Sequence, residues 1–361
     1  MPPDRRLERQ EALRAQLMQE GIDGLLVTHL PNIRYLTGFT GSAALLLVRS
    51  DATILITDFR YAVQAPAEAG QAAVVEIDQK NVWERLGRIL GTHPLSTLGI
   101  EAHALTVRDA ERVSGLSRNR VVPTSELVER LRTVKSPEEV AAIRDAASLA
   151  QDALAEVLPR IRVGQSEREI GAMLEEALRR RGSEWHPFPT IVASGPRSAL
   201  PHARTSARTV GLGEWLLLDF GAQVDGYCAD LTRTVVVGRA DERQRTIHEL
   251  VRAAQGRALE HLRAGMTGRE GDALARDVIV ARGFGEAFGH SLGHGLGLEV
   301  HEAPRVAPTT ETPLPTHAVV TVEPGIYLPG WGGVRLEDDV HLGPDGPERL
   351  SDGKTELLEL V

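Results

Sequence analysis

Short apolar segments alternate with amphipathic ones along the first third of the chain. Four apolar runs have the length of buried strands, and residues 60–69 and 82–90 have the periodicity of helices. The predicted strands lie at residues 25–28, 43–48, 53–57 and 73–77. Because strands and helices alternate here, the pattern predicts a compact α/β domain over residues 1–125.

The pattern changes after residue 125, where longer helices and paired strands are predicted. Ser136 followed by Glu139 has the spacing of a capping box, and Ser166 followed by Glu169 repeats it before the next helix. Further helices are predicted at residues 242–262 and 269–281, and strands at 190–194, 215–220, 233–237, 318–323 and 334–342. This order predicts a mixed α+β domain over residues 126–361 with mainly antiparallel pairing.

Composition narrows the functional classes. The 361-residue chain has a formal net charge of -9 and no basic segment, so neither nucleic acid nor an anionic membrane is an expected partner. No apolar run is long enough to span a membrane, and the charged N-terminus lacks the apolar core of a signal peptide. The single cysteine, Cys228, cannot form an internal disulfide, which is typical of a reducing compartment. We therefore expect a cytoplasmic protein.

Four carboxylates and one histidine occupy positions that indicate a metal site. Asp219 and Glu323 end apolar runs, Asp230 and Glu337 lie in segments that begin with glycine, and His294 lies in a glycine-rich run. Carboxylates gathered at the ends of buried strands repel one another, and two divalent cations would balance four of them. Oxygen-rich ligation with one imidazole favours Mn²⁺, with Co²⁺, Fe²⁺ or Zn²⁺ as alternatives. Two ions about 3.5–4 Å apart can hold a bridging hydroxide for hydrolysis.

Other interpretations of these residues stay open. A single carboxylate at a strand end, such as Asp219 or Glu323, more often accepts a hydrogen bond from a turn amide. Asp338 and Asp339 are expected at the surface. In contrast, the three histidines at positions 290, 294 and 301 fall within twelve residues, and we expect ligands or catalytic groups among them.

Five blocks of the second domain resemble a known superfamily in residue type, order and spacing. The blocks are residues 218–221, 226–234, 290–301, 321–327 and 333–338. They resemble the methionine aminopeptidase/prolidase/aminopeptidase P superfamily, and the resemblance covers nearly the whole chain. It implies an α+β pita-bread catalytic domain, a pseudo-symmetric unit whose antiparallel sheet holds the metals. A creatinase-like α/β domain would precede it.

The resemblance also implies a role for each matching residue. The five metal ligands would be Asp219, Asp230, His294, Glu323 and Glu337, of which Asp230 and Glu337 bridge two ions. Glu323 would also act as the general base. The other catalytic residues would be His202, His290, His301 and Arg335, with the histidines orienting the substrate and stabilising the intermediate. A homodimer and proline-containing peptide substrates are likewise expected.

The metal motifs do not separate two proline-specific activities. Aminopeptidase P removes the first residue from Xaa-Pro peptides, whereas prolidase cleaves only Xaa-Pro dipeptides. Residues 36–42 and 57–61 resemble aminopeptidase P segments, so we expect a Xaa-Pro aminopeptidase, with Xaa-Pro dipeptidase as the alternative. A creatinase-type hydrolase and a non-catalytic binding module are less favoured, because all five ligand types are present. A methionine aminopeptidase is disfavoured because that branch typically lacks the N-terminal domain.

Overall fold

The chain divides into two compact units. The computed structural model of the protein describes residues 4–93, 95–116, 120–351 and 353–360. The units are Met1–Arg132 and Thr133–Val361, so the division lies near the end of a helix that begins at Leu127. The predicted domain boundary, between residues 125 and 126, lies just before that helix.

A mixed sheet of six strands lies at the centre of the N-terminal unit, within the described residues. The strands are β1 (Gly24–Val27), β2 (Leu45–Arg49), β3 (Thr53–Asp58), β4 (Val74–Asp78), β5 (Thr97–Glu101) and β6 (Arg120–Thr124), in the order β4-β3-β2-β1-β5-β6. The helices are α1 (Arg6–Gln19), α2 (Leu30–Thr37), α3 (Gln64–Ala69), α4 (Val82–Thr92), α5 (Val107–Leu116) and α6 (Leu127–Thr133). β1 is antiparallel to β2 and parallel to β5. Leu26, Leu47 and Leu98 are fully buried in an apolar cluster that also includes side chains of α4.

The four strands predicted in this unit are confirmed within one or two residues at each end. The predicted helix at 60–69 is split instead. Asp58 accepts a hydrogen bond from the backbone N–H of Arg60 and caps a 3₁₀ turn, Phe59–Tyr61, that precedes α3.

Strand β5 is absent from the predicted set because Gly99 interrupts its apolar run. A Cβ on Gly99 would lie 2.9 Å from Thr124 Cγ2, so close strand packing explains the glycine.

The C-terminal unit combines long helices with several antiparallel strand pairs. The helices are α7 (Pro137–Val157), α8 (Glu167–Arg181), α9 (Glu242–His261) and α10 (Gly268–Val280). The strands are β7 (Ile191–Ser194), β8 (Glu214–Phe220), β9 (Gln223–Val224), β10 (Tyr227–Cys228), β11 (Leu231–Val237), β12 (Gly293–Gly295), β13 (Glu302–Val306), β14 (Val319–Val322), β15 (Gly325–Leu328), β16 (Gly332–Arg335), β17 (Asp338–Gly343), β18 (Gly346–Arg349) and β19 (Glu359–Leu360). Two sheets have the orders β19-β11-β8-β7 and β13-β12-β14-β17-β18, and β9/β10 and β15/β16 form separate pairs.

The helix starts in this unit follow the predicted local chemistry. Ser136 and Ser166 each accept a hydrogen bond from the backbone N–H of the glutamate three residues later, and that glutamate side chain binds back to the cap residue. α8 ends at Gly182, whose φ of 107° is the left-handed conformation that glycine adopts without strain. Both predicted capping boxes are therefore confirmed.

The strand predicted at 334–342 is interrupted. β16 ends at Arg335 and β17 begins at Asp338, while Leu336 and Glu337 lie between them. Glu337 instead forms an isolated bridge with Thr232 of β11, which belongs to the other sheet. The bridge between Thr232 and Glu337 therefore connects the two sheets.

Among the described residues, no helix has both the length and the apolar character needed to cross a membrane.

Candidate metal centre

Two aspartates lie at the same end of the β8/β11 pair. Asp219 is the penultimate residue of β8 and lies opposite Thr232 of β11 in the antiparallel register. Asp230 immediately precedes β11. Because the strands are antiparallel, the end of β8 and the start of β11 lie side by side, which brings the two carboxylates to one place. Both are buried, at 7% and 5% exposed.

The other three predicted ligands lie on the five-stranded sheet. His294 is the central residue of β12, Glu323 follows β14, and Glu337 directly precedes β17. The backbone N–H of Glu337 donates to the carbonyl of Thr232 over 3.1 Å, and Thr232 Oγ1 donates to Glu337 Oε2 over 2.6 Å. These contacts bring the carboxylates of the two sheets together.

The distances within the cluster suit ligands of a common ion. Ligand-type atoms of Asp230, His294 and Glu337 all lie within 4.8 Å of one another. His294 Nε2 is 3.7 Å from Asp230 Oδ2 and 3.5 Å from Glu323 Oε1. The Nδ1–H of His294 donates to the carbonyl of Gly295 over 3.0 Å, since a carbonyl can only accept. That bond fixes the tautomer and leaves the lone pair on Nε2, as in a metal-binding imidazole.

Burial and mutual repulsion oppose ionisation of the carboxylates. Burial raises the pKa of Asp219, Asp230 and Glu337, and neighbouring carboxylates raise the pKa of the last two further. Burial also raises the pKa of Glu323 to about 8 and lowers the pKa of His294 to about 4. Asp230 Oδ1 is buried and accepts no hydrogen bond from the described residues. Acidic oxygens, a neutral imidazole and an acceptor without a donor form a set that fits divalent cations.

A buried arginine connects this cluster to His290. Arg335, 4% exposed, donates from Nη2 to Asp219 Oδ2 and from Nη1 to the hydroxyl of Tyr327 over 2.9 Å. The Nδ1–H of His290 donates to the carbonyl of Ser291, so its Nε2 accepts from the Tyr327 hydroxyl over 2.8 Å. Both ring nitrogens of His290 are therefore engaged, and the ring is held in one orientation.

Two further histidines present exposed side chains near the cluster. The ring of His301 lies edge-on to the ring of His294, with 4.3 Å between centroids. Burial and the nearby charge of Arg305 lower the pKa of His301. His202 is exposed. It lies close enough to Asp219 for a positive charge on its ring to offset part of the rise in the pKa of Asp219 that burial causes. Neither ring forms a hydrogen bond with the part of the chain that the structure describes, so both are available to a substrate.

Two family profiles together cover most of the chain. Residues 141–344 match Metallopeptidase family M24, and residues 9–134 match the Creatinase/Prolidase N-terminal domain. The chain belongs to metallopeptidase family M24. Its M24 fold is the predicted α+β pita-bread domain preceded by a creatinase-like domain, and M24 membership implies divalent metal ions.

The likeness to other M24 proteins extends over both units. A solved Xaa-Pro dipeptidase from Bacillus anthracis is 40% identical, with a TM-score of 0.96 over 98% of this chain and 100% of that one. A solved X-Pro aminopeptidase from Thermotoga maritima is 38% identical, with a TM-score of 0.90 over 97% of this chain and 99% of that one. The Xaa-Pro dipeptidase of Pyrococcus furiosus is 36% identical over 97% of this chain and 99% of its own length.

The expectation that Asp338 and Asp339 lie at the surface of the M24 domain is wrong. Both residues are fully buried. Asp338 is stabilised there by hydrogen bonds and ion pairs from Arg233, Gln255, Arg349 and Ser351. Asp339 Oδ2 accepts from the backbone N–H of Asp230 over 3.1 Å and supports that predicted ligand.

Thr232 and Tyr327 are site residues that sequence reasoning missed. Thr232 Oγ1 accepts from Arg335 Nε over 3.0 Å and donates to Glu337, so one hydroxyl orients a cation and a carboxylate. Strand periodicity could have indicated Thr232, because Asp230 and Thr232 are two residues apart at the start of β11 and so lie on the same face of the sheet. Tyr327 gave no comparable signal, since its partners, His290 and Arg335, lie outside its own strand.

Proposed function

We propose that this chain is a metal-dependent Xaa-Pro dipeptidase, which hydrolyses the bond between the first residue and the proline of a dipeptide. The names of the relatives from B. anthracis and P. furiosus support this activity. The observation that carries the proposal is a buried acidic cluster with an exposed arginine, Arg305, on the sheet face of His294. A dipeptide has an amino group at one end and a carboxylate at the other, and this arrangement offers a partner for each.

The five predicted ligands are proposed to hold two divalent ions, with Mn²⁺ favoured by the oxygen-rich set. The ligands would be Asp219, Asp230, His294, Glu323 and Glu337, and the resemblance to the family implies that Asp230 and Glu337 would serve both ions. When bound, the ions would polarise the scissile carbonyl and make a water molecule more acidic. A homodimer and a cytoplasmic location stay predictions from the sequence.

The protein groups around the ions divide into proton-transfer and positioning residues. Glu323 Oε2 lies 4.0 Å from His290 Nδ1, and Glu323 is proposed to accept the proton of the attacking water. His301 and His202, whose rings are available, are proposed to donate hydrogen bonds to substrate oxygens. Arg335 and His290 are proposed to act as positioning residues, because their polar groups are already engaged with the cluster and with Tyr327.

Arg305 is the side chain proposed to bind the proline carboxylate. It lies opposite His294 in the β12/β13 register, so the two side chains share one face of the sheet. Its positive charge lowers the pKa of both His294 and His301. Arg305 is exposed and its side chain forms no ion pair with the described residues, so it can bind a carboxylate through two hydrogen bonds.

A Xaa-Pro aminopeptidase, the activity first expected, is the second candidate. The T. maritima protein of that name supports it. An open cavity of about 680 Å³ beside His202, lined in part by residues 200–206, offers room for residues beyond the proline. The two candidates differ in one respect, which is whether a free carboxylate on the proline is needed.

Three substrates separate these candidates: Ala-Pro, its C-terminal amide, and Ala-Pro-Ala, each assayed with Mn²⁺ and with chelator. The dipeptidase proposal predicts a kcat/KM about 10- to 100-fold lower for the amide and the tripeptide, since each lacks the charged contact at Arg305. Arg305→Gln should lower turnover of Ala-Pro by a similar factor and remove most of the preference. Arg257→Gln, at an exposed position on α9, is the matched control and should change neither.

Comparable rates on all three substrates would instead establish the aminopeptidase. Retention of full activity in chelator would refute both candidates. A protein that binds metal but cleaves none of the three acts on a different class of substrate.

A further inference from the structure

A second group of metal-ligating side chains lies in the N-terminal unit, outside the M24 domain. His29, His103 and Glu129 each place one ligand-type atom within 4.8 Å of the others. We propose that these three residues form a binding site for one zinc-type divalent ion. The proposal does not depend on the peptidase activity.

The position of the cluster in the sheet favours ligand binding. His29 directly precedes α2, and His103 lies in the turn between β5 and α5. Because β1 and β5 are parallel neighbours, the segments that follow them leave the same edge of the sheet. The chain continues from β1 to β2 on one side and from β5 to β6 on the other. Connections that diverge in this way open a crevice at the carboxyl ends of the strands, where open α/β sheets bind ligands.

Glu129, on α6, supplies the third donor at this crevice. Its Oε1 lies 3.1 Å from His103 Nε2 and 4.0 Å from His29 Nδ1. Zinc–nitrogen bonds of about 2.0–2.1 Å in a tetrahedral site put neighbouring donors about 3.3 Å apart. Both observed separations are within about 1 Å of that value, so small side-chain rotations would complete the site. The imidazole rings lie at 89° with centroids 5.2 Å apart, so they do not stack face to face.

A buried network holds two of the three ligands in place. Asn32 is fully buried and its Nδ2 donates to Oε1 of Glu129 and to Oε1 of Glu101. Arg132 Nη1 donates to Asn32 Oδ1 over 2.6 Å, which orients the amide. Glu101 Oε2 accepts from the backbone N–H of His29 over 2.9 Å and fixes the backbone of that ligand. Hydrogen bonds behind the ligands are typical of protein metal sites, because they hold the donors ready for the ion.

The donor set indicates the class of ion. Two imidazoles and one carboxylate favour a borderline dication such as Zn²⁺ over Ca²⁺ or Mg²⁺, which prefer oxygen ligands. The side chains of His29, His103 and Glu129 are 23%, 41% and 21% exposed, so an ion can enter from solution and keep a water as fourth ligand. Such an ion would join the segments after β1 and β5 to α6 and so stabilise the N-terminal unit.

The test counts zinc per chain in the full-length protein after equilibrium dialysis against Zn²⁺ at a series of concentrations. His103→Ala and Glu129→Gln are each expected to bind one ion fewer than the wild-type chain, or to bind it at least about 100-fold more weakly. The difference is independent of how many ions the C-terminal centre holds. Glu129→Gln keeps an oxygen that accepts from Asn32, so it tests the ligand with little change to the fold. His93→Ala, at an exposed position of the same unit, is the control and should bind the full number.

Cobalt provides a second readout. With Co²⁺ in place of Zn²⁺, the visible spectrum of the wild-type chain minus that of His103→Ala should contain the absorption bands of a four-coordinate ion. Equal ion counts and identical spectra for the wild type and both variants would overturn the proposal.

Discussion

The carboxylate of Glu167 organises the segment that carries His202, and its replacement gives a sharp test of that packing. The Glu167 side chain is fully buried and accepts hydrogen bonds from the backbone N–H and hydroxyl of both Ser194 and Ser206. Arg197 Nε lies 3.1 Å and 3.2 Å from its two oxygens. In Glu167→Gln an NH₂ group replaces one of the two carboxylate oxygens. Whichever way the amide is turned, this donor faces the backbone N–H of either Ser194 or Ser206, which then has no acceptor.

The cost of this change follows from the contacts that are lost. A hydrogen bond to a charged group contributes about 1.5–3 kcal/mol, and a buried N–H left without an acceptor costs about 1–3 kcal/mol. We therefore expect Glu167→Gln to lower the free energy of unfolding of the C-terminal unit by about 3–5 kcal/mol. For a unit of this size each kcal/mol lowers Tm by about 2–4 °C, so Tm should fall by about 6–20 °C.

The effect should also depend on pH in a defined direction. Burial raises the pKa of Glu167, but the hydrogen bonds from Ser206 and Ser194 outweigh it and hold the pKa below its ordinary value. Because the folded pKa is lower than the unfolded one, the stabilisation is complete above the unfolded value of about 4.3 and is lost as pH falls through the folded pKa. The difference between wild type and Glu167→Gln should be constant at pH 6–8 and shrink in acid.

Calorimetry at constant metal concentration over this pH range checks both expectations. Glu176→Gln is the matched control on the same helix, since its side chain is 59% exposed and lies 3.8 Å from Arg180. It should change the free energy of unfolding by less than about 0.5 kcal/mol. A Tm for Glu167→Gln within 1 °C of wild type at pH 7, about the size of the control, would refute the reasoning.

Three other substitutions address the metal centre. Glu323→Ala is expected to lose bound metal and turnover together, and near-normal turnover with metal retained would contradict its assigned role. His301→Ala should fold and bind metal but react about 10²–10⁴-fold more slowly, as metal content and rate measured on one preparation will show. Gly221→Ala should destabilise the site, because its Cβ would lie 2.1 Å from the carbonyl oxygen of Ala229. Gly256→Ala, whose Cβ would meet nothing within 4 Å, is the control, and equal melting temperatures for the two variants would exclude that clash.

Local sequence signals predicted the elements that carry the site. The apolar run before Asp219 predicted β8, and the Ser166–Glu169 pair predicted the start of α8, because strand burial and helix capping depend on neighbouring residues. The same reasoning did not foresee the break at Glu337. That break depends on Thr232, which is distant in sequence and belongs to another sheet.

Burial of charge was the property that sequence reasoning predicted least well. Asp338 and Asp339 look like surface residues, since adjacent acidic residues are usually solvated. Asp338 can be buried because it forms ion pairs with Arg233 of β11 and Arg349 of β18. Arg233 is distant from Asp338 in sequence, so the local pattern around Asp338 does not reveal this pairing. The sequence does not predict the cluster of His29, His103 and Glu129 either, because its members are also distant in the chain. They come together only when β1 and β5 pair.

The charges around the M24 centre argue for two ions and not one. The sequence predicts four carboxylates that two dications would balance. To these charges the structure adds two buried aspartates, Asp338 and Asp339, and two buried arginines, Arg233 and Arg335. These additions cancel, so the cluster keeps four formal negative charges that two divalent ions neutralise. A single ion would leave two negative charges in a buried pocket, which is costly and favours binding of a second ion. A centre that saturates at one divalent ion per chain would therefore contradict this balance.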